Sequence, residues 1–402
     1  MFLLRRFRPR RICVFFTVVG LLLATGIVIR LDRETNEHTL IDLSGDDTER
    51  NEQFTPTVSA TTDTATEAYS PKKVVVLMSL SKCGGSSVGE LFNQNPDVFY
   101  FFEPLWGLEY AIKKANQENG TKDRIDDYQR LSFRLVNSGS HCNVSDDSRI
   151  FLTVYMKNTI FSGAYRSESM RKVCELAKKQ LPQSESRCPI NDMKVPDVIE
   201  QLCTEKSYYV VKVIRIQNIM MLRQLAFEED VDYKIVQVIR DPRSVVTSRL
   251  KAKYASNSSI EQYTEAQVRE AGHQYLCRWM FDNAKTHDTI TPWLENRFAT
   301  LRFEDFVANR VTTAERLYQF VGFPQHKKML NWSNGHTQSS LQSNDPWKTL
   351  LDWDAIRLIQ SDPACQKVMK LFGYVPATGK SDLSSDGWSS LMPVPANVVA
   401  IS

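Results

Sequence analysis

The sequence predicts an α/β fold, a parallel central sheet flanked by helices that carries a phosphate-binding strand-loop-helix and is preceded by one transmembrane helix. Three observations lead there. Runs typical of core strands, KVVVL from Lys73, YYVVKVIR ending at Arg215 and YKIVQVIR from Tyr233, alternate with helix-length segments. The first run ends in a turn with adjacent glycines, Lys82-Cys83-Gly84-Gly85-Ser86-Ser87, that opens a helix. The N-terminus sets Arg5, Arg6, Arg8, Arg10 and Arg11 ahead of an uncharged apolar stretch, Ile12 to Ile29, long enough to span a bilayer.

Along the chain, the basic flank keeps residues 1–11 as a cytosolic tail, makes 12–29 a type II signal-anchor and places the rest in a lumen. A cleaved signal peptide is the rival reading; it is disfavoured because the apolar run exceeds a typical signal core and no clear small-residue cleavage site follows. Residues 30–71, rich in Thr, Asp, Glu, Ser and Asn, bury too little to offset their ordering entropy and read as a flexible stem. The folded domain takes 72–378, and 379–402 reads as a loose C-terminal tail. Inside the domain, strands are expected at 73–79, 208–215, 234–240 and 299–302. Helices are expected at 86–94, 219–227, 242–252, 264–285 and 314–321. Residues 107–201 give the weakest signal.

The glycine turn is built for an anion. Gly84 and Gly85 let backbone N–H groups approach a phosphate, Ser86 and Ser87 suit the opening of a helix whose free amides favour negative charge, and Lys82 adds a mobile cation. Cys83 reads as a small, semi-buried residue rather than a redox group. A second grip follows YKIVQVIR: Arg240 ends the strand, Pro242 suits the first helical turn, and Ser248 is carried back toward the strand end. A bare surface ion pair between Arg240 and Asp241 is the competing reading.

Glu103 lies beyond the loop helix among Phe99, Tyr100, Phe101 and Phe102, an apolar wall that would raise its basicity and suit it to accept a proton. It would alternatively pair with a nearby arginine or orient the loop. Lys212 and Arg215 read as ordinary solvated charges at a strand end, with contact to an anionic glycan as the alternative, and Arg302, Glu304 and Asp305 as ion pairs and a helix cap tying strand to loop. The six histidines show no paired ligand spacing and no Cys-x-x-Cys occurs, so no metal is expected. Of eight cysteines, Cys13 falls in the anchor and Cys83 in the loop. The other six, Cys142, Cys174, Cys188, Cys203, Cys277 and Cys365, allow three disulfides whose pairing sequence alone leaves open. Asn119, Asn143, Asn257 and Asn331 begin glycosylation sequons, which also fit a lumenal surface. A formal charge of +3 argues neither for nor against a polyanionic substrate.

These blocks, in this order, resemble the Golgi carbohydrate sulfotransferases, in particular the galactose, N-acetylglucosamine and N-acetylgalactosamine 6-O-sulfotransferase family (keratan sulfate and chondroitin 6-sulfotransferase-like). GELFNQNPDVFYFFEPLW and KIVQVIRDPRSVVTSRL carry most of the likeness, with VVKVIR, LRFEDF, ERLYQFVGF and KVMKLFGY in support. The resemblance implies a P-loop-NTPase-like sulfotransferase fold and the donor 3′-phosphoadenosine 5′-phosphosulfate (PAPS), whose phosphates at two ends account for two anion grips. It implies Lys82 and Glu103 as catalytic residues, with Lys82, Cys83, Gly84, Gly85, Ser86 and Ser87 at the 5′ end and Arg240 and Ser248 at the 3′-phosphate. It further implies Cys277 paired with Cys365, and Trp347 with Lys348 closing over nucleotide or sugar.

Where members of that family usually carry Arg, Ser or Thr, Gly, Ser and Ser, the loop reads Lys82, Cys83, Gly84, Gly85 and Ser86, so a thiol stands in for one hydroxyl at Cys83 and Gly85 lacks another outright. Implied partners are a glycan or glycosaminoglycan acceptor and the Golgi membrane through the chain's own anchor; no nucleic acid is expected, and a homodimer is left open. The alternatives are a catalytically impaired lumenal glycan-binding protein and a P-loop phosphotransferase. The second lacks its GK[ST] ending.

Overall fold

The computed structural model describes residues 71–119, 125–144, 146–157, 163–180, 195–254, 263–290, 292–335, 347–385, 387–395 and 400–401. The expected cytosolic tail, anchor and nearly all of the stem lie outside them. Among the described residues no helix is long and apolar enough to cross a membrane.

Five parallel strands form one sheet in the order β2-β3-β1-β4-β5: β1 Lys72–Ser79, β2 Val98–Phe102, β3 Tyr208–Val213, β4 Val231–Ile239 and β5 Phe298–Arg302. Alternation along β1 divides two cores, Val74, Val76 and Met78 on one face and Val75 and Leu77 on the other. Helix α1, Gly85–Asn93, packs Val88, Leu91 and Phe92 into the second of these. Register then carries position to the neighbours: Leu77 pairs with Lys212 and Phe102 with Lys212, so all three belong to the α1 face. Because the strands are parallel, their carboxyl ends, with residues 79–82, 103, 214–215 and 240, meet at one edge.

Three sequence readings change. β2 was not anticipated as a strand, because an unbroken aromatic run FYFF carries no alternation to distinguish sheet from any other buried segment. The single helix expected over 264–285 is two, at Glu265–Glu270 and His273–Ile290, broken where Gly272 turns left-handed at φ 75°. Residues Ile219–Phe227 form a 3₁₀ helix capped by the Asn218 side chain. The weakly patterned 107–201 region supplies helices α2 to α6 at Leu105–Asn119, Ile125–Ser140, Asp146–Lys157, Glu168–Gln180 and Val195–Thr204. The Pro242–Tyr254 helix lies where expected.

The C-terminal stretch is docked rather than loose. Ile401 is buried and its N–H donates to the Thr300 carbonyl at 2.9 Å, while Arg302 donates to the carbonyls of Phe372 and Met392 at 2.7 and 2.8 Å. Disulfides join Cys277 to Cys365, as the resemblance implied, and Cys142 to Cys203; Cys174 is disulfide-bonded as well. Asn143 and Asn331 are exposed.

Candidate active site

A cavity of about 930 Å³ opens at the carboxyl edge of the sheet, with the glycine loop, Glu103, Lys212, Arg215 and Arg240 all in its wall. The two anion grips expected from sequence therefore face one space.

The loop is strained in a way that suits close approach to a ligand. Lys82 and Gly84 both have positive φ, 72° and 89°, and Glu103 across the cavity does too, at 50°. Gly84, not Ser86, is the N-cap of α1, and no side chain caps the helix. Ser86 and Ser87 thus stand in its first turn, and the loop keeps amides available to an anion. A Cβ on Gly84 would sit 2.1 Å from the Phe303 ring, so glycine is obligatory there. Lys82 is exposed at the rim. Cys83 is fully buried rather than semi-buried, and burial pushes its thiol up to about 11, which keeps it inert.

On the other side of the loop, Arg240 donates to the Lys82 carbonyl at 3.3 Å and to Ser248 Oγ at 3.4 Å, and lies over the Phe303 ring at 5.1 Å. The expected meeting of Arg240 and Ser248 is present. Asp241 does not pair with Arg240. It is buried, accepts from the Arg243 N–H at 2.8 Å and holds the Arg243 guanidinium at 2.7 Å. Arg243 in turn reaches Gln360 and the Val375 carbonyl at 2.9 and 3.0 Å. This buried pair fixes the start of the Pro242–Tyr254 helix and leaves Arg240 as the group turned to the cavity. Glu304 braces the same corner, accepting from the Asp241 N–H at 2.9 Å; burial, reinforced by the Asp241 carboxylate, pushes its carboxyl up to about 7. Arg302 pairs with Asp305 at 2.9 Å, the structural tie expected of that block.

Glu103 is not held against an apolar wall. Its side chain pairs with Lys212 Nζ and, at 3.4 Å, with Arg215 Nη1, while its N–H donates to the Lys212 carbonyl at 2.8 Å. The aromatic residues before it point into the two cores instead, because they form β2. Lys212 is also corrected: it is 2% exposed, lies 4.6 Å from the Phe102 ring centroid, and burial lowers its pKa although Glu103 opposes the shift. Arg215 is half-buried and also pairs with Glu109. A lysine inside YYVVKVIR was the available signal, since a charge in a core strand needs a partner. Trp106, Tyr155, Tyr165 and Arg166, none of which the sequence singled out, also line the cavity. Trp347 does not reach the cavity: it is fully buried with the Arg243 guanidinium 3.8 Å from its ring centroid, and Lys348 lies over Trp388.

Residues 75–327 match the model of the sulfotransferase family. Among curated proteins, the chain is 27% identical over 341 residues to carbohydrate sulfotransferase 3 of Tetronarce californica, covering 79% of this chain and 76% of the relative. It is 25% identical over 369 residues to human carbohydrate sulfotransferase 1, covering 80% and 85%. A solved sulfotransferase from Mycobacterium avium superposes at a TM-score of 0.39 with 13% identity, over 75% of this chain and 77% of its own, too loosely to argue from.

Proposed function

The chain belongs to the sulfotransferase family, and from that premise we propose that it is a Golgi carbohydrate 6-O-sulfotransferase acting on galactose, N-acetylglucosamine or N-acetylgalactosamine of a glycan or glycosaminoglycan. The observation that carries this reading is one cavity whose wall holds both the glycine loop with Arg240 and the Glu103–Lys212–Arg215 cluster. The names of the carbohydrate sulfotransferases it resembles support a sugar acceptor.

The donor is PAPS, which brings an activated sulfuryl group on a phosphate oxygen. The chain's residues fit it. The Gly84 turn is a cradle that any Cβ would fill, and two cations, Lys82 and Arg240, stand in the wall, with Ser248 beside Arg240. The loop amides and Lys82 stabilise negative charge on the leaving oxygen, while Arg240 and Ser248 hold the 3′-phosphate. Glu103 accepts the proton of the acceptor hydroxyl. Lys212 has a second anion to pair with once the loop is filled, which leaves Glu103 freer to take that proton. The described disulfides and the exposed sequons at Asn143 and Asn331 support a lumenal domain, with residues 12–29 as the anchor.

Incubating the purified protein with ³⁵S-labelled PAPS and a panel of desulfated glycans, without added metal, tests this. Label at the 6-position of a hexose or N-acetylhexosamine is the expected result. Glycan binding with no transfer would instead establish the impaired glycan-binding alternative, and transfer that requires ATP the phosphotransferase.

A further inference from the structure

The loop lacks a hydroxyl at Gly85, and the structure places another one in the same volume. A Cβ built on Gly85 would lie 2.2 Å from Ser79 Oγ, 2.7 Å from Ser79 Cβ and 3.4 Å from Lys212 Cε. Ser79 therefore fills the space that a side chain at 85 would begin to occupy. It ends β1 on the same face as Val75 and Leu77, the face of α1 and of Lys212, so strand parity aims it at the underside of the loop.

Its hydroxyl is also unsatisfied. Ser79 is 1% exposed, and its Oγ has no hydrogen-bond partner among the described residues. An alanine would fill that part of the core without leaving a buried donor and acceptor unpaired. Gly85 and Lys212, on either side of this volume, both line the cavity, whereas Ser79 lies just behind them, covered by the Gly85 backbone.

We infer that Ser79 is a further donor-binding residue: when the loop is filled its side chain turns past Gly85, and its Oγ–H donates to an anionic oxygen at the 5′ end of the nucleotide, replacing the hydroxyl that residue 85 lacks. The inference rests on the nucleotide-donor reading given above. It makes positions 79 and 85 an interdependent pair: one hydroxyl is needed, and there is room for only one.

Isothermal titration of the full protein with adenosine 3′,5′-bisphosphate and with adenosine 3′-monophosphate, alongside thermal unfolding, tests it. Ser79→Ala is expected to lower affinity for the bisphosphate at least about tenfold, the effect of losing a hydrogen bond to a charged group, while leaving 3′-monophosphate affinity and Tm unchanged. Gly85→Ser alone is expected to lower Tm through the 2.2 Å overlap. The double variant Ser79→Ala/Gly85→Ser is expected to regain part of the lost Tm, because the 2.2 Å overlap goes while the 2.7 Å approach of the two Cβ atoms must still relax, and to bind the bisphosphate more tightly than either single variant. Wild-type affinity in Ser79→Ala, or equal losses for both nucleotides, would overturn the inference while leaving the function intact. Failure of the wild type to bind the bisphosphate would overturn both.

Discussion

Replacing Glu103 by Gln separates the two roles open to that carboxylate, proton acceptor and counter-ion of Lys212. Gln keeps the shape and the acceptor oxygen but removes the charge. Turnover is expected to fall at least about a hundredfold, about 2.7 kcal/mol of barrier, with donor affinity nearly unchanged. Stability should fall too, because Lys212 loses its counter-ion while 3% of its side chain is exposed. Removing one partner of a buried pair costs about 3–5 kcal/mol, and the low end applies since the Glu103 side chain is 18% exposed and water can reach the site. Adding Lys212→Met removes the stranded ammonium and is expected to restore most of that loss, read as the urea midpoint. Single-turnover transfer of labelled sulfate in the double variant then decides. If turnover returns to within about tenfold of wild type along with stability, Glu103 serves only to neutralise Lys212 and the base role is wrong.

Arg240→Ala is expected to weaken adenosine 3′,5′-bisphosphate binding by about 1.5–3 kcal/mol; unchanged affinity would mean the 3′-phosphate grip lies elsewhere. Gly84→Ala forces a Cβ to 2.1 Å from Phe303 at a φ of 89°, so a destabilisation of about 2 kcal/mol and loss of donor binding are expected, and an unaltered Tm would disprove the cradle geometry. Glu304 holds its proton up to about pH 7 in the fold against 4.5 as a free side chain. The folded state therefore binds that proton more tightly, and stability from this group is full below pH 4.5, declines as pH rises toward 7 and is lost above it, by at most about 3 kcal/mol. Glu304→Gln should accordingly be more stable than wild type at pH 8 and gain less at pH 5; parallel pH profiles in urea denaturation would exclude Glu304 as the source.

Much of the glycine-loop side of the cavity was legible because its signals are local. The strand, glycine turn and helix are contiguous, and Arg240 meets Ser248 only eight residues away on one helix. The Glu103–Lys212 cluster was not, for a corresponding reason. Lys212 and Glu103 are 109 residues apart, and they meet only because β2 and β3 pair in register at Phe102 and Lys212. Read in isolation, one looked like a solvated charge and the other like a carboxylate in an aromatic pocket. The Arg-Asp-Pro-Arg segment mixed both cases, with Arg240 turned to the cavity and Arg243 buried against Trp347 and Asp241.

By itself the sequence determined the parallel α/β class, the glycine turn and the arginine-serine grip, since periodicity, φ preference and helix spacing act between near neighbours in the chain. Only the tertiary structure decided which charges face each other across strands, that Trp347 belongs to the core, and that Ser79 lies beneath Gly85. Those outcomes depend on strand order and register, which are set by long-range packing of the whole sheet.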